Sequence, residues 1–116
     1  VPKKFIKSFK YARAGAQHAL RTQRNLWIHF FIGLAVIGVA VWSRVSRIEL
    51  AVLIVAIFGV IVAEMVNTAI EELVNILSPG HREEAALAKN VAAAAVLLAA
   101  VGAVAVGCII FIPRFI

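Results

Sequence analysis

The sequence predicts an all-α membrane protein: an N-terminal amphipathic surface helix followed by three transmembrane helices. Hydrophobic residues make up 63% of the 116, well above the roughly 45–50% of a soluble globular domain. Three windows account for the excess. Leu26 to Trp42 is apolar apart from His29, Leu50 to Ile70 is broken only by Glu64 and Asn67, and Val91 to Ile112 carries no charge. About 20 apolar residues cross the hydrocarbon of a bilayer as a helix. The whole of 1–116 reads as one domain, with a surface helix at about 3–24 and spans at about 26–42, 48–75 and 85–112.

The segment 3–24 sets Phe5, Ile6, Phe9, Ala12, Ala16, Ala19 and Leu20 at helical spacing between lysines and arginines. Such a helix lies on an anionic leaflet with its apolar side down. The first span follows this basic stretch with no small-residue cleavage site, so it reads as a retained helix rather than a signal peptide. Ser43 to Arg47 is a tight connection between antiparallel helices. Ser78-Pro79-Gly80 is a stop-and-turn signal between the second and third spans. The third span is rich in alanine and glycine, which lets helices pack closely. Three spans enclose little volume, so association of identical chains would build a site between them. Cys108 lies alone inside this span and reads as a packing residue.

The net charge of +6 is a topology signal, since no nucleic-acid motif accompanies it. Seven basic residues precede the first span, Arg82 and Lys89 lie between the second and third, and only Arg44, Arg47 and Arg114 fall on the other side. The positive-inside rule therefore expects a multi-pass protein of a bacterial-type inner membrane, with its N-terminus and Glu64–Lys89 facing the cytoplasm.

The stretch Glu64-Met65-Val66-Asn67-Thr68-Ala69-Ile70-Glu71 carries the chemistry. A charge at the bilayer centre costs about 2.5–3.5 kcal/mol on insertion scales, so such residues mark function. At about 100° per residue, Glu64, Asn67, Thr68, Glu71 and Asn75 share one helical stripe. A plain structural three-span protein leaves Glu64 unexplained. There is no Walker-type loop, dinucleotide fingerprint, zinc spacing or serine triad. The acidic and amide stripe, followed by Ala88-Lys89-Asn90, suits phosphoryl transfer instead. That reaction needs a base for the attacking hydroxyl, a carboxylate–cation clamp on the phosphates and a lysine to offset charge. Glu64, deepest in the apolar helix, is placed for a proton from a lipid hydroxyl, and Glu71, nearer the polar end, for Mg²⁺. His29 reads as an interfacial hydrogen-bonding residue. His18 and Thr22 read as surface residues.

These blocks resemble the prokaryotic diacylglycerol kinase and undecaprenol kinase family over almost the whole chain. Glu64, Asn67, Thr68, Ala69, Ile70 and Glu71 match its Glu-x-x-Asn-(Ser/Thr)-Ala-Ile-Glu block, and Ala88-Lys89 with Val91–Val96 match a second. Arg21-Thr22-Gln23-Arg24-Asn25 with His29 is similar to a third, and Tyr11 and Gly15 sit at the expected distance from it. The resemblance implies a homotrimer that uses ATP with Mg²⁺ to phosphorylate a membrane lipid alcohol. It implies Glu64 as catalytic base, Asn67 as an orienting group, Lys89 on the phosphates and Glu71 with Gln23 as metal ligands. Lys4, Tyr11, Gly80, His81, Arg82 and Asn90 would lie near the nucleotide. Family members usually carry Glu at the place of Gln23 and Asp at those of Asn75 and Asn90. These amides leave a second reading open: a catalytically impaired member that binds lipid or nucleotide in the membrane. The Ile109–Arg114 end and the Arg24-Asn25 block look slightly more like the undecaprenol kinase branch.

Overall fold

Among the described residues four α-helices follow in chain order: α1 (Pro2–Thr22), α2 (Arg24–Trp42), α3 (Arg47–Leu77) and α4 (Glu83–Phe115). The computed structural model describes residues 2–80 and 82–116. Helices α2, α3 and α4 are each long and apolar enough to cross a membrane.

Helix α1 packs against the rest of the molecule near its C-terminal end. Ala19 is its buried residue, while Phe5, Ile6 and Phe9 stand uncovered on its apolar side. Phe5 and Phe9 pack edge to face at 5.0 Å. This exposed greasy side above a basic one is the surface-helix pattern expected from the sequence. One extended residue, Gln23 (φ −114°, ψ 106°), separates α1 from α2. Arg24, grouped with the surface helix in the sequence, therefore opens α2. The Trp27 indole N–H donates to the Leu20 carbonyl at 2.5 Å and holds the corner.

The α2–α3 turn is built without glycine. Arg44 takes a left-handed conformation (φ 58°). The amide of Val45 donates to the Ala40 carbonyl and that of Arg44 to Val41, both at 3.2 Å. This pair of bonds is a Schellman closure, a position where glycine is usual. Ser46 then starts α3 with a reciprocal capping box: its hydroxyl accepts from the Glu49 amide, and Glu49 accepts from the Ser46 amide. Together they satisfy donors that a helix start leaves unpaired.

Folding about this turn lays α2 against α3. Ala40, Leu53 and Ile110 pack into a small core near the turn, joining all three spans. Further along, Gly33 meets Ile57 so closely that an added Cβ would stand 2.7 Å from Ile57 Cγ2. A glycine is what permits that approach. At the same end as the turn, Arg114 Nη2 bonds Glu49 Oε1 at 2.8 Å, and Nη1 bonds the Ser43 carbonyl at 3.2 Å. That anchor holds the last turn of α4 even though Pro113 lies inside it. The helix accordingly runs past the apolar window that ends at Ile112.

Length sets the depth of the site. Helix α3 has 31 residues. Counting from Leu50, about 20 residues at 1.5 Å each traverse the roughly 30 Å of hydrocarbon, so α3 emerges near Ile70. The last turns of α3 and the first of α4 extend beyond it. Most large apolar side chains of the spans remain uncovered within one chain, as lipid or neighbouring helices require.

Candidate functional site

Among the described residues Glu64 and Thr68 are the buried polar ones, at 7% and 5% exposure. Both lie on α3 within the hydrocarbon stretch. Thr68 Oγ1 donates back to the Glu64 carbonyl at 2.9 Å, a local bond that stabilises a hydroxyl in an apolar helix. Glu64 sits about 9 Å below the point where α3 leaves the hydrocarbon, six residues short of it. Its side chain faces α2, where His29 Nδ1 stands 3.3 Å from Glu64 Oε1. His29 Nδ1 is buried and has no aligned hydrogen-bond partner.

One turn on, Asn67 Nδ2 donates to Glu71 Oε1 at 3.2 Å. Asn67 Oδ1 is buried with no donor. A further turn on, Asn75 Oδ1 accepts from Lys89 Nζ at 2.5 Å, which ties the end of α3 to the start of α4. The stripe read from the sequence is therefore real, and it divides into three levels. The Glu64 carboxylate lies deepest, the Asn67–Glu71 pair at the hydrocarbon edge, and the Asn75–Lys89 pair above it. Lys89 also borders a cavity of about 60 Å³ with Val74, Ser78, Ala85 and Ala86. Ser78 Oγ is buried and unpartnered.

Other residues singled out in the sequence sit on the rim. Lys4 and Tyr11 are exposed on α1. Gln23 is half-buried at the α1–α2 corner, and its side chain makes no capping bond there. Gly80 and Arg82 flank the turn, Arg82 as the N-cap of α4, and Asn90 is exposed one residue past Lys89. His81 lies outside the described residues. Two features were not read from the sequence as functional. His18, taken as a surface residue, bonds Glu72 Oε1 at 2.6 Å and ties α1 to α3. Ser78 entered only as a turn residue.

Magnesium, which the resemblance implies, fits the donors present. It is usually held by one or two carboxylates, with substrate phosphates and water completing its shell. Glu71 supplies a carboxylate, and the unpartnered Asn67 Oδ1 beside it is an acceptor of the hard kind that cation takes. Among the described residues no three His, Cys, Asp or Glu converge into a cage of their own.

A larger cavity of about 320 Å³ opens between α2, α3 and α4. Leu53, Ile57, Val60, Val104 and Phe111 are among its walls, and His29 is its one polar lining side chain. The end of this apolar space therefore meets the carboxylate of Glu64 through His29.

Fold and site define a multi-pass membrane protein with a buried acid facing the histidine that lines an apolar cavity, and a lysine–amide cluster above it. The sequence model of prokaryotic diacylglycerol kinase matches residues 10–111. The chain belongs to that family. It is 44% identical over 107 residues to a diacylglycerol kinase of Synechocystis, covering 91% of this chain and 61% of that protein. The chain thus spans about three-fifths of that relative's length. It is 35% identical over 111 residues to an undecaprenol kinase of Bacillus subtilis, covering 96% of this chain and 90% of the relative. Against a diacylglycerol kinase of Escherichia coli K12 it is 35% identical over 82 residues, covering 71% and 67%.

Proposed function

We propose that this chain is a membrane lipid kinase that transfers the γ-phosphate of ATP to a lipid alcohol, undecaprenol or diacylglycerol. The observation that carries the reading is Glu64, a carboxylate at 7% exposure inside an apolar span, two helical turns below Glu71. Its kin support it, since the names of related proteins describe kinases acting on these two alcohols. The apolar cavity beside His29 suits a substrate whose body is hydrocarbon.

Each level of the stripe takes one task. Glu64 accepts the hydroxyl proton as the alcohol oxygen bonds to the γ-phosphorus and the bond to the ADP oxygen breaks. Asn67, its Nδ2 on Glu71 and its Oδ1 unpartnered, orients the reacting groups. Lys89 holds its ammonium where phosphate charge grows, steadied by Asn75. Glu71 and Gln23 would hold Mg²⁺, which when bound neutralises charge on the β- and γ-phosphate oxygens. Lys4, Tyr11, Gly80, Arg82 and Asn90 flank the nucleotide in this reading.

The assembly is a homotrimer in this reading, supported by the family resemblance and by Gly102 and Gly107 of α4, around which a Cβ would meet open space. The basic N-terminal segment, together with Arg82 and Lys89 at the start of α4, supports a cytoplasmic site under the positive-inside rule.

Purified protein in lipid-containing micelles tests this. Labelled phosphate should pass from MgATP to undecaprenol or diacylglycerol and leave ADP. Nucleotide binding without transfer would favour the impaired-member reading, to which the amides Gln23, Asn75 and Asn90 point.

A further inference from the structure

The imidazole of His29 has no task in the chemistry above, yet it stands beside the proposed base. Its Nδ1 lies 3.3 Å from Glu64 Oε1. It is buried without an aligned partner. The ring comes from α2 and the carboxylate from α3, so the contact crosses a helix interface rather than one helix face. The same ring lines the apolar cavity, so it stands between that space and the acid.

We propose that His29 is a positioning residue for the lipid kinase reaction: its Nδ1–H holds Glu64 Oε1 and turns Oε2 towards the substrate hydroxyl. The inference rests on the lipid-kinase reading of Glu64. A glutamate has three rotatable side-chain bonds, and little else in the apolar span fixes its carboxylate. A ring donor on a neighbouring helix does so at small entropic cost, because α2 and α3 are already locked by the Gly33–Ile57 approach. An ionised carboxylate only accepts, so the facing ring nitrogen must be the donor. At 3.3 Å the pair is within reach of a hydrogen bond and lacks only alignment, which rotation of either side chain would supply. Proton transfer is sensitive to placement of this kind, since a misplacement of about 1 Å can cost about 100-fold in rate.

Three substitutions separate a held carboxylate from simple packing. His29→Asn keeps an amide N–H near the place of Nδ1. His29→Gln sets its N–H a bond further out, and His29→Phe fills the space with no donor. The full-length protein is assayed in micelles with MgATP and the alcohol it uses, with wild type and Glu64→Gln alongside. His29→Asn should keep kcat within about threefold of wild type, whereas His29→Gln and His29→Phe should lose about 10- to 100-fold. KM for MgATP should move less than about twofold in all three, because the nucleotide end of the stripe is untouched. Comparing two polar variants keeps the test valid even if His29→Phe folds poorly.

Wild-type kcat in His29→Gln and His29→Phe would overturn the proposal, as would a loss in His29→Asn equal to theirs. An inactive wild type would instead bring down the kinase reading, and a fully active Glu64→Gln the role of Glu64 as base; either takes this inference with it.

Discussion

Lys89 Nζ donates to Asn75 Oδ1 at 2.5 Å across the turn that joins α3 to α4. An amide oxygen holds an ammonium in place without cancelling its charge, so the lysine stays available to a phosphate. A carboxylate in the same place would form an ion pair that an incoming phosphate has to displace.

Removing the tether should therefore weaken nucleotide binding and spare the lipid end. In Asn75→Ala, KM for MgATP should rise about fivefold, equivalent to about 1 kcal/mol, the mean net worth of one hydrogen bond. KM for the lipid should stay within about twofold. Steady-state kinetics with each substrate varied in turn checks both.

Gly33 sets how closely α2 approaches α3. A methyl there would press to 2.7 Å from Ile57 Cγ2, and a β-branched isoleucine has little rotamer freedom to yield. Gly33→Ala should destabilise the protein by about 1–3 kcal/mol. Thermal unfolding in detergent reads this as a lower midpoint, and Gly33→Ala with Ile57→Ala should recover part of it.

The left-handed Arg44 in the α2–α3 turn carries a cost that glycine would not. Left-handed backbone costs an L-residue about 1–2 kcal/mol, so Arg44→Gly should raise the unfolding midpoint. Arg44→Ala should not, since alanine pays the same penalty. Phosphate transfer should be unchanged, because the turn lies at the opposite end of α3 from Glu71.

Gln23 supplies an amide oxygen where a charged one would bind a hard cation more strongly. Gln23→Glu should lower the Mg²⁺ concentration for half-maximal transfer by about fivefold, or about 1 kcal/mol. A magnesium titration at saturating ATP measures this directly.

Much of the architecture is written in local pattern. The three apolar windows and the Ser78-Pro79-Gly80 stop depend on neighbours in sequence, and each is where the pattern puts it. The corner at Gln23 is less visible, because a single extended residue leaves no compositional mark. Among the site residues, Glu64, Asn67 and Glu71 declare themselves by polarity inside a greasy run. His29 does not, since its meaning comes from a contact across two helices. A signal was nonetheless present: Ala40 meets Leu53, Gly33 meets Ile57 and His29 meets Glu64 in pairs mirrored about the turn. Folding the hairpin on paper about Arg44–Ser46 would have set that histidine opposite the acid. The His18–Glu72 bond was hidden more deeply, because nothing in α1 fixes the angle at which it leaves the bundle.

The central claim is that a carboxylate held inside the membrane takes the proton from a lipid alcohol. Single-turnover transfer of labelled γ-phosphate to the lipid, at saturating MgATP, isolates that step from nucleotide binding and product release. Glu64→Gln, nearly the same size but unable to accept the proton, should slow the transfer by about 10²- to 10⁴-fold while still binding nucleotide. Transfer by Glu64→Gln at the wild-type rate would contradict it.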